Sequence, residues 1–371
     1  MNVSLSGTTS DDRYGDTALD PRPAAYLDTS LSYHLRGKHT VFDLGGQSSV
    51  RRMDQDVSPM RQMGELDFSA TGQRQQFHSS QNVSYMPSYQ FGGLLGTAVP
   101  PELDGAASHG DLANSPVWGL MLNSNVDWDW TLSPKLAMQA SYIVRSTRFG
   151  ANGLDMTTQE AGGRLTRRLS RYFALQTGYA YRVANSEVTP GELLRVNDIN
   201  IGIDFSRPLK ERGTIFSFRS GSSVVPSNGG QAFRVTGDMS IVKQMGRTWK
   251  ARASVDRSVR LIEGFTDPVL DNSLTGGIGG NLTQHWGVFA AGTLSTGTVG
   301  VTTGPANGYQ SWTTTSGMSF MVGRRAVLNA QYFRVGNHFE EGVVLPSQVV
   351  AQLRRQGIRV DMTWHFAIFQ N

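Results

Sequence analysis

Asp127 and Asp129 stand two residues apart in an extended-type stretch, so their carboxylates share one face, a spacing suited to an acid–base pair or to part of a hard-cation site. A hard cation wants six or more oxygens, and no third ligand is near in sequence. His365 with Asp361 and His338 with Glu340 supply imidazole and carboxylate, and serine is abundant, so hydrolase triads can be drawn on paper. None of these residues sits in a nucleophile motif. Gly276, Gly277, Gly279 and Gly280 imitate a phosphate loop, but no helix follows them, and they read as strand glycines that permit a bend or a close backbone approach. The chain has no cysteine, which removes thiolate metal sites and cysteine nucleophiles. The expectation is no catalytic residue, no metal, no nucleotide site and no cofactor: a protein that is not an enzyme.

A larger set of charges shares one strand parity with Ser, Thr, Asn, Gln and Gly. It comprises Asp28, Asp43, Asp67, Asp127, Asp129, Glu160, Asp204, Asp238, Asp256, Asp271 and Asp361, with Arg51, Arg145, Arg164, Arg182, Arg219, Arg234, Arg252, Arg260 and Arg359. Opposed acidic and basic rows around a pore would make a transverse field that orients and filters polar solutes. The same residues would equally serve as cross-strand ion pairs that keep a wall wet and rigid. Both readings stand on sequence alone. The basic residues alternate with hydrophobes and form no stripe, so no nucleic-acid partner is expected.

The elements that carry these charges have period two. From Leu120 to Leu132, the residues Leu120, Leu122, Val126, Trp128, Trp130 and Leu132 alternate with Met121, Asn123, Asn125, Asp127, Asp129 and Thr131. After Ser133–Lys135 the pattern resumes with Leu136, Met138, Ala140, Tyr142 and Val144 against Gln139, Ser141, Arg145 and Thr147, which makes a hairpin. Such segments start near residues 2, 25, 39, 64, 81, 117, 135, 155, 172, 194, 213, 231, 248, 269, 286, 309, 326 and 356, about 18 strands with 16 as the alternative count. No linker or composition break separates them, so residues 1–371 are expected to form a single domain. Only Leu345–Gly357 has helical spacing. Tight turns, such as Ser170–Tyr172 and Thr283–His285, alternate with longer connections near 10–23, 92–116, 220–230, 298–308 and 340–355.

At 39% hydrophobic and 17% charged residues, the chain is short of both core formers and solvating charges relative to soluble domains, which hold about 45–50% and about 25%. No stretch reaches the roughly 18 apolar residues of a membrane-spanning helix. The 35 aromatics are spread along the whole length, against intrinsic disorder. A soluble sandwich would favour Lys and Glu on its wet face, whereas this polar parity is Ser, Thr, Asn, Gln and Gly with isolated charges. That suits a water-filled lumen, with Trp128, Trp130, Tyr142, Phe173, Tyr179, Tyr181, Trp312, Trp364 and Phe366 as an aromatic belt at the membrane interface. Closure follows, because an open sheet edge in hydrocarbon leaves backbone groups unpaired. Arg257 and Arg334 share parity with apolar residues, which is tolerable at headgroup level or at a bulge.

With its tight turns, long opposite loops and terminal strand Val360–Phe369 rich in aromatics, the chain resembles a Gram-negative outer-membrane β-barrel over roughly its whole length. Val3–Asp12, the polar loop and Ala25–Arg36 are loosely similar to the start of barrels found beside exosortase and exopolysaccharide-export genes. The resemblance implies an all-β, antiparallel up-and-down transmembrane β-barrel in the bacterial outer membrane, with both termini on the periplasmic side. It implies a porin-like channel that passively transports hydrophilic solutes. The alternatives are the barrel of a polysaccharide-export system, or a structural or adhesive barrel with a closed lumen. Implied partners are outer-membrane lipid and lipopolysaccharide, the barrel-assembly machinery, a hydrophilic solute or polysaccharide and, as an alternative to a monomer, further copies in an oligomer. MNVSLSGTTSDD has neither a basic n-region nor an apolar h-region, so a signal peptide is expected to be absent from this chain. Gly92–Pro116 is long enough to fold inward as a constriction or plug.

Overall fold

A computed structural model describes residues 2–14, 17–18, 22–53, 56–86, 118–150, 155–187, 193–209, 213–227, 230–262, 265, 267–300, 307–323, 325–345 and 351–365. In chain order the strands are β1 (Asn2–Tyr14), β2 (Thr17–Ala18), β3 (Arg22–Arg36), β4 (Thr40–Met53), β5 (Asp56–Thr71), β6 (Gln75–Met86), β7 (Gly119–Ser133), β8 (Leu136–Phe149), β9 (Met156–Arg168) and β10 (Phe173–Ser186). The second half holds β11 (Leu193–Leu209), β12 (Thr214–Ser227), β13 (Gly230–Met245), β14 (Trp249–Arg260), β15 (Val269–Asn281), β16 (Trp286–Val299), β17 (Gly308–Val322), β18 (Ala326–Phe339) and β19 (Gln352–His365). β2 is a two-residue piece hung on β1. The other 18 form an antiparallel meander, closed where β1 pairs with β19 from Asn2↔His365 to Tyr14↔Leu353 and with β3 on its other side.

Each strand sits where alternation demands it. The outward parity is apolar and exposed, as with Leu31, Leu122, Ile201, Leu274 and Ile358. A 14-residue strand rises about 48 Å and, tilted about 45°, covers about 34 Å, enough for a hydrocarbon core of about 30 Å. Short turns are held by local hydroxyls. Ser170 Oγ accepts from the Tyr172 and Phe173 amides at 3.2 and 3.1 Å, and Thr283 Oγ1 from those of His285 and Trp286 at 3.2 and 3.1 Å. Aromatic pairs cluster on the outward face beside these turns: Phe68–Phe77, Trp128–Trp130, Phe173–Phe205, Phe205–Phe216 and Trp286–Phe320.

Several boundaries differ from the sequence expectation. Ser220–Ser227 is strand, and two residues join β12 to β13, because the ladder with β13 runs unbroken from Ser227↔Gly230 to Thr214↔Lys243. Gln352–Gly357 is strand as well, recruited by pairing with β18, so no helix forms there, and none occurs elsewhere among the described residues. Starts expected near 64 and 81 move to 56 and 75. The Gly92–Pro116 loop lies outside the described residues. Gly276, Gly277, Gly279 and Gly280 lie in the β15 ladder, and Trp249 packs its indole so closely on Gly280 that a Cβ there would be 2.6 Å from the ring.

Arg334 and Arg257 face outward and are exposed, both on the long-loop side of mid-strand. No bulge surrounds Arg334, whose neighbours on adjacent strands are Thr314 and Gln356. Arg148, Arg195 and Arg354 are also exposed on the outward parity toward that end, so the apolar band is topped by a basic belt. This level is testable. Leu274→Arg, in the middle of β15, is expected to cost about 2–4 kcal/mol of unfolding free energy in bilayers, and Arg334→Leu to change it by less than about 1 kcal/mol. Equal effects in denaturant titrations would place the band wrongly.

Candidate functional site: a lumen crossed by the β14–β15 tip

The lumen is not uniform. On β3–β9 most of the inward parity is at least half-exposed, with Ser84, Thr147, Phe149 and Met156 buried at the long-loop end, whereas on β15–β19 it is largely buried: Asp271, Ser273, Thr293, Ser295, Ser311, Asn329, Gln331, Arg355, Arg359 and Asp361 are all below 10% exposed. The connection Leu261–Pro268 and the adjoining ends of β14 and β15 account for part of this. Ile262 and Phe265 pack with Val269, Val299, Tyr309 and Phe339, whose positions put them on the inner face of β15–β18. On the other side, outward-parity Val259 and Leu270 pack with inward-parity Val196 and Val225 of β11 and β12. An outer face can meet an inner face only if the tip has bent inside the ring. The tip therefore reaches from the β11–β12 wall to the β16–β18 wall.

Polar contacts fix it there. Arg182 of β10 donates from Nη1 to the Val259 carbonyl at 2.8 Å, and its Nε and Nη2 both reach Asp198 Oδ2 at 2.7 Å. Ser223 donates to the same carboxylate. Across the tip, Arg260 pairs with Asp271 at 3.1 Å and Asp256 at 3.5 Å, and the Tyr309 hydroxyl donates to Asp271 at 2.5 Å. Gly297 makes room for that last bond: a Cβ there would lie 2.8 Å from the Tyr309 ring and 2.0 Å from the Leu270 carbonyl.

Toward the short-turn end the charges are differently arranged. Arg219 pairs with Asp238 at 2.7 Å, and a cavity of about 460 Å³ runs over Ser217, Arg219, Asp238, Ser240, Arg252, Ser254 and Asp256. Arg252 makes no ion pair with another described residue, nor do Arg145, Arg164, Glu160 or Asp129. Asp43, Glu65 and Asp67 face the lumen on β4 and β5, with Asp127 and Asp129 nearby on β7. His34 contacts Asp43, His78 lies 4.0 Å from Asp67, and Asn125 donates to Asp127 at 2.5 Å. β14, carrying Lys250 and Arg252 at the same end, is the ninth strand from β5 among eighteen, directly across the barrel. An acidic wall thus faces a basic one at the short-turn end, while pairing dominates at the tip.

Glu160 lies opposite Ile143 and Arg182, Arg164 opposite Gln139 and Gly178, and Arg234 opposite Ser223. Asp361 accepts from Asn329 Nδ2 at 2.7 Å, and Arg359 is buried two residues away. The Asp28, Arg51 and Asp204 side chains lie outside the described residues, as does Phe366. Trp128, Trp130, Tyr142, Phe173 and Tyr179 are outward and 43–51% exposed, whereas Tyr181, Trp312 and Trp364 are outward and half-buried. Tyr142 and Tyr179 donate to outward Gln159 and Asn197 at 3.5 and 2.6 Å. Sequence reasoning missed Asp198, Tyr309 and the apolar tip. Asp198 shares parity with Asp204, and Leu261, Ile262 and Phe265 are too apolar for a solvated loop, so signals for both existed.

No family model matches this sequence, and no curated protein matches it. Solved structures do. Acinetobacter baumannii OccAB4 aligns at TM-score 0.51 and 11% identity over 98% of this chain and 97% of its own. Pseudomonas aeruginosa OccK2 (OpdF), solved in complex with glucuronate, aligns at 0.51 and 8% over 99% and 98%, and P. aeruginosa OpdQ at 0.50 and 7% over 99% and 98%. At these identities the likeness is one of fold: an antiparallel, up-and-down β-barrel of the outer-membrane porin type.

Proposed function

We propose that this chain is a single outer-membrane barrel of a Gram-negative bacterium, spanning residues 1–371, that passes small hydrophilic solutes passively through a lumen narrowed by the Leu261–Pro268 tip. The tip carries the reading, since it lies across a polar lumen of 18 strands, a size that otherwise leaves an aqueous channel. The outward aromatic and basic belts would meet lipid and lipopolysaccharide, and the barrel-assembly machinery would insert the chain.

Below the tip, the Arg252 guanidinium stands among Ser217, Ser240 and Ser254, a fork for a carboxylate beside donors and acceptors for hydroxyls. OccK2 was solved with glucuronate, a molecule of that composition, and a hydroxylated carboxylate is the solute class favoured for this pore. Planar-bilayer recordings test this. The refolded protein is expected to conduct ions, with glucuronate causing concentration-dependent block. Arg252→Gln is expected to weaken that block about tenfold by removing one charge-assisted contact. Absence of any current would favour a closed structural barrel, and unchanged block in the variant would remove Arg252 from the path.

A further inference from the structure

The β13–β14 ladder is incomplete. It runs from Met245↔Trp249 to Gly237↔Arg257 and stops, although β13 extends to Gly230, paired on its other side with β12, and β14 extends to Arg260, paired with β15. Continuing the register would set Val235 against Val259. Instead Val259 is buried inside the ring with Val196 and Val225. The cause is local. A Cβ at Gly202 would fall 2.0 Å from the Ser220 carbonyl oxygen, and one at Gly237 2.6 Å from that of Arg219, so the β11–β13 wall bends sharply along these glycines. The β11–β12 register shifts at the same height, between Ile199 and Phe205. Above the bend β13 stays in the wall, and β14 follows the tip inward.

The seam has an apolar path through it. Outside, Phe233 and Val235 are 60% and 58% exposed, whereas Met239 and Ile241, lower on β13 where β14 is paired, are 44% and 42% exposed. Inside, the seam opens on Val196, Val225, Val259 and Leu270, with Ala232 partly buried against them. The apolar seat that holds the tip thus lies beside the break in the wall. At the last rung, Arg257 stands exposed on the outward face, where it can hold an anionic headgroup.

The geometry points to a lateral port: the seam between β13 and β14 admits a single-chain amphiphile with an anionic head, its apolar chain entering between Phe233 and Val259 and its head at Arg257. This goes beyond passage of hydrophilic solutes along the lumen and uses a different route. In the resting structure the Val196–Val225–Val259–Leu270 contact seals the inner mouth, and the incoming chain replaces the tip's own side chains there.

The test uses the unaltered protein in phospholipid vesicles with a dodecanoate carrying a photoreactive diazirine on its chain, and adducts mapped by peptide mass spectrometry. Adducts on Val196, Val225 or Leu270 are expected, competed by unlabelled dodecanoate. Adducts confined to Phe233, Val235 and other outward residues would overturn the port, since they report the bilayer alone. Inner adducts from a photoreactive diacyl phospholipid in place of the free acid would make the seam a lipid cleft and overturn it too. Arg257→Gln is expected to reduce inner labelling about tenfold while potassium chloride conductance is retained, because Arg257 faces outward, outside the seat of the tip, and its guanidinium holds the anionic head. Inner labelling unchanged in Arg257→Gln would remove the head site and overturn the port. An open pore with no inner labelling of the unaltered protein would reject the port and leave the pore standing.

Discussion

Replacing Leu261–Pro268 with an Asn-Gly turn is expected to raise single-channel conductance about threefold or more, because the tip crosses an otherwise aqueous 18-strand lumen. The fold should survive the change, since β14 and β15 keep their ladder from Lys250↔Gly279 to Arg260↔Val269. The same variant should lose part of its ion preference, as Arg260, Asp256 and Asp271 would then line a wider lumen. Conductance unchanged within error would mean that the narrowing lies elsewhere along the lumen.

Arg182→Ala is expected to destabilise the barrel by about 3–5 kcal/mol, because it leaves Asp198 inside the wall with only Ser223 to satisfy it. The two side chains are 15% and 14% exposed, so water screens little of the loss. The change also removes the donor to the Val259 carbonyl, freeing one side of the tip. Unfolding in denaturant should therefore begin earlier, and open-channel noise should rise. Adding Asp198→Asn should recover about half or more of the stability, because the buried charge is then gone, but should not quiet the channel, since the tie to Val259 stays broken. Equal stability of the unaltered and Arg182→Ala proteins would show that the pair is solvated.

Much of the barrel is readable from side-chain alternation alone. Leu120–Leu132 and Ile358–Trp364 keep strict parity because lipid and water each select every second residue, and a one-residue slip would invert both faces. Turns such as Ser170–Tyr172 are legible because a hydroxyl at the right offset substitutes for a backbone partner. Ser220–Gly230 misleads, because a run of Gly, Ser and Pro carries no apolar stripe, and the ladder with β13 supplies the order that composition does not. Leu345–Gly357 misleads in the opposite direction: its apolar spacing fits a helix, but pairing partners on both sides claim its second half for β19.

The candidate site was legible in its residue types and illegible in its arrangement. Parity marks Arg182, Asp238, Arg252, Asp256 and Asp271 as inward, but says nothing of which pairs across a rung and which stands apart. Asp198 escaped notice although it shares that parity. The bend was beyond reach, since Val259 and Leu270 keep outward parity while the segment that carries them has turned into the lumen. Periodicity reports which face of a strand a residue occupies. Where that face points depends on the path of the whole ribbon, here set by close approaches at Gly202 and Gly237.

If outward and inward residues meet two different solvents around a closed cylinder, a cysteine scan along β8 will read that alternation residue by residue, because the chain has no cysteine of its own. Single cysteines at Met138, Gln139, Ser141, Tyr142, Val144 and Arg145 would be reacted in vesicles with a membrane-impermeant thiol reagent, then converted to nitroxides and probed with oxygen and a nickel chelate. Positions 139, 141 and 145 should react with the aqueous reagent and collide with the chelate, while 138, 142 and 144 should be shielded from it and collide with oxygen. Uniform aqueous reactivity at all six would contradict the barrel in the membrane.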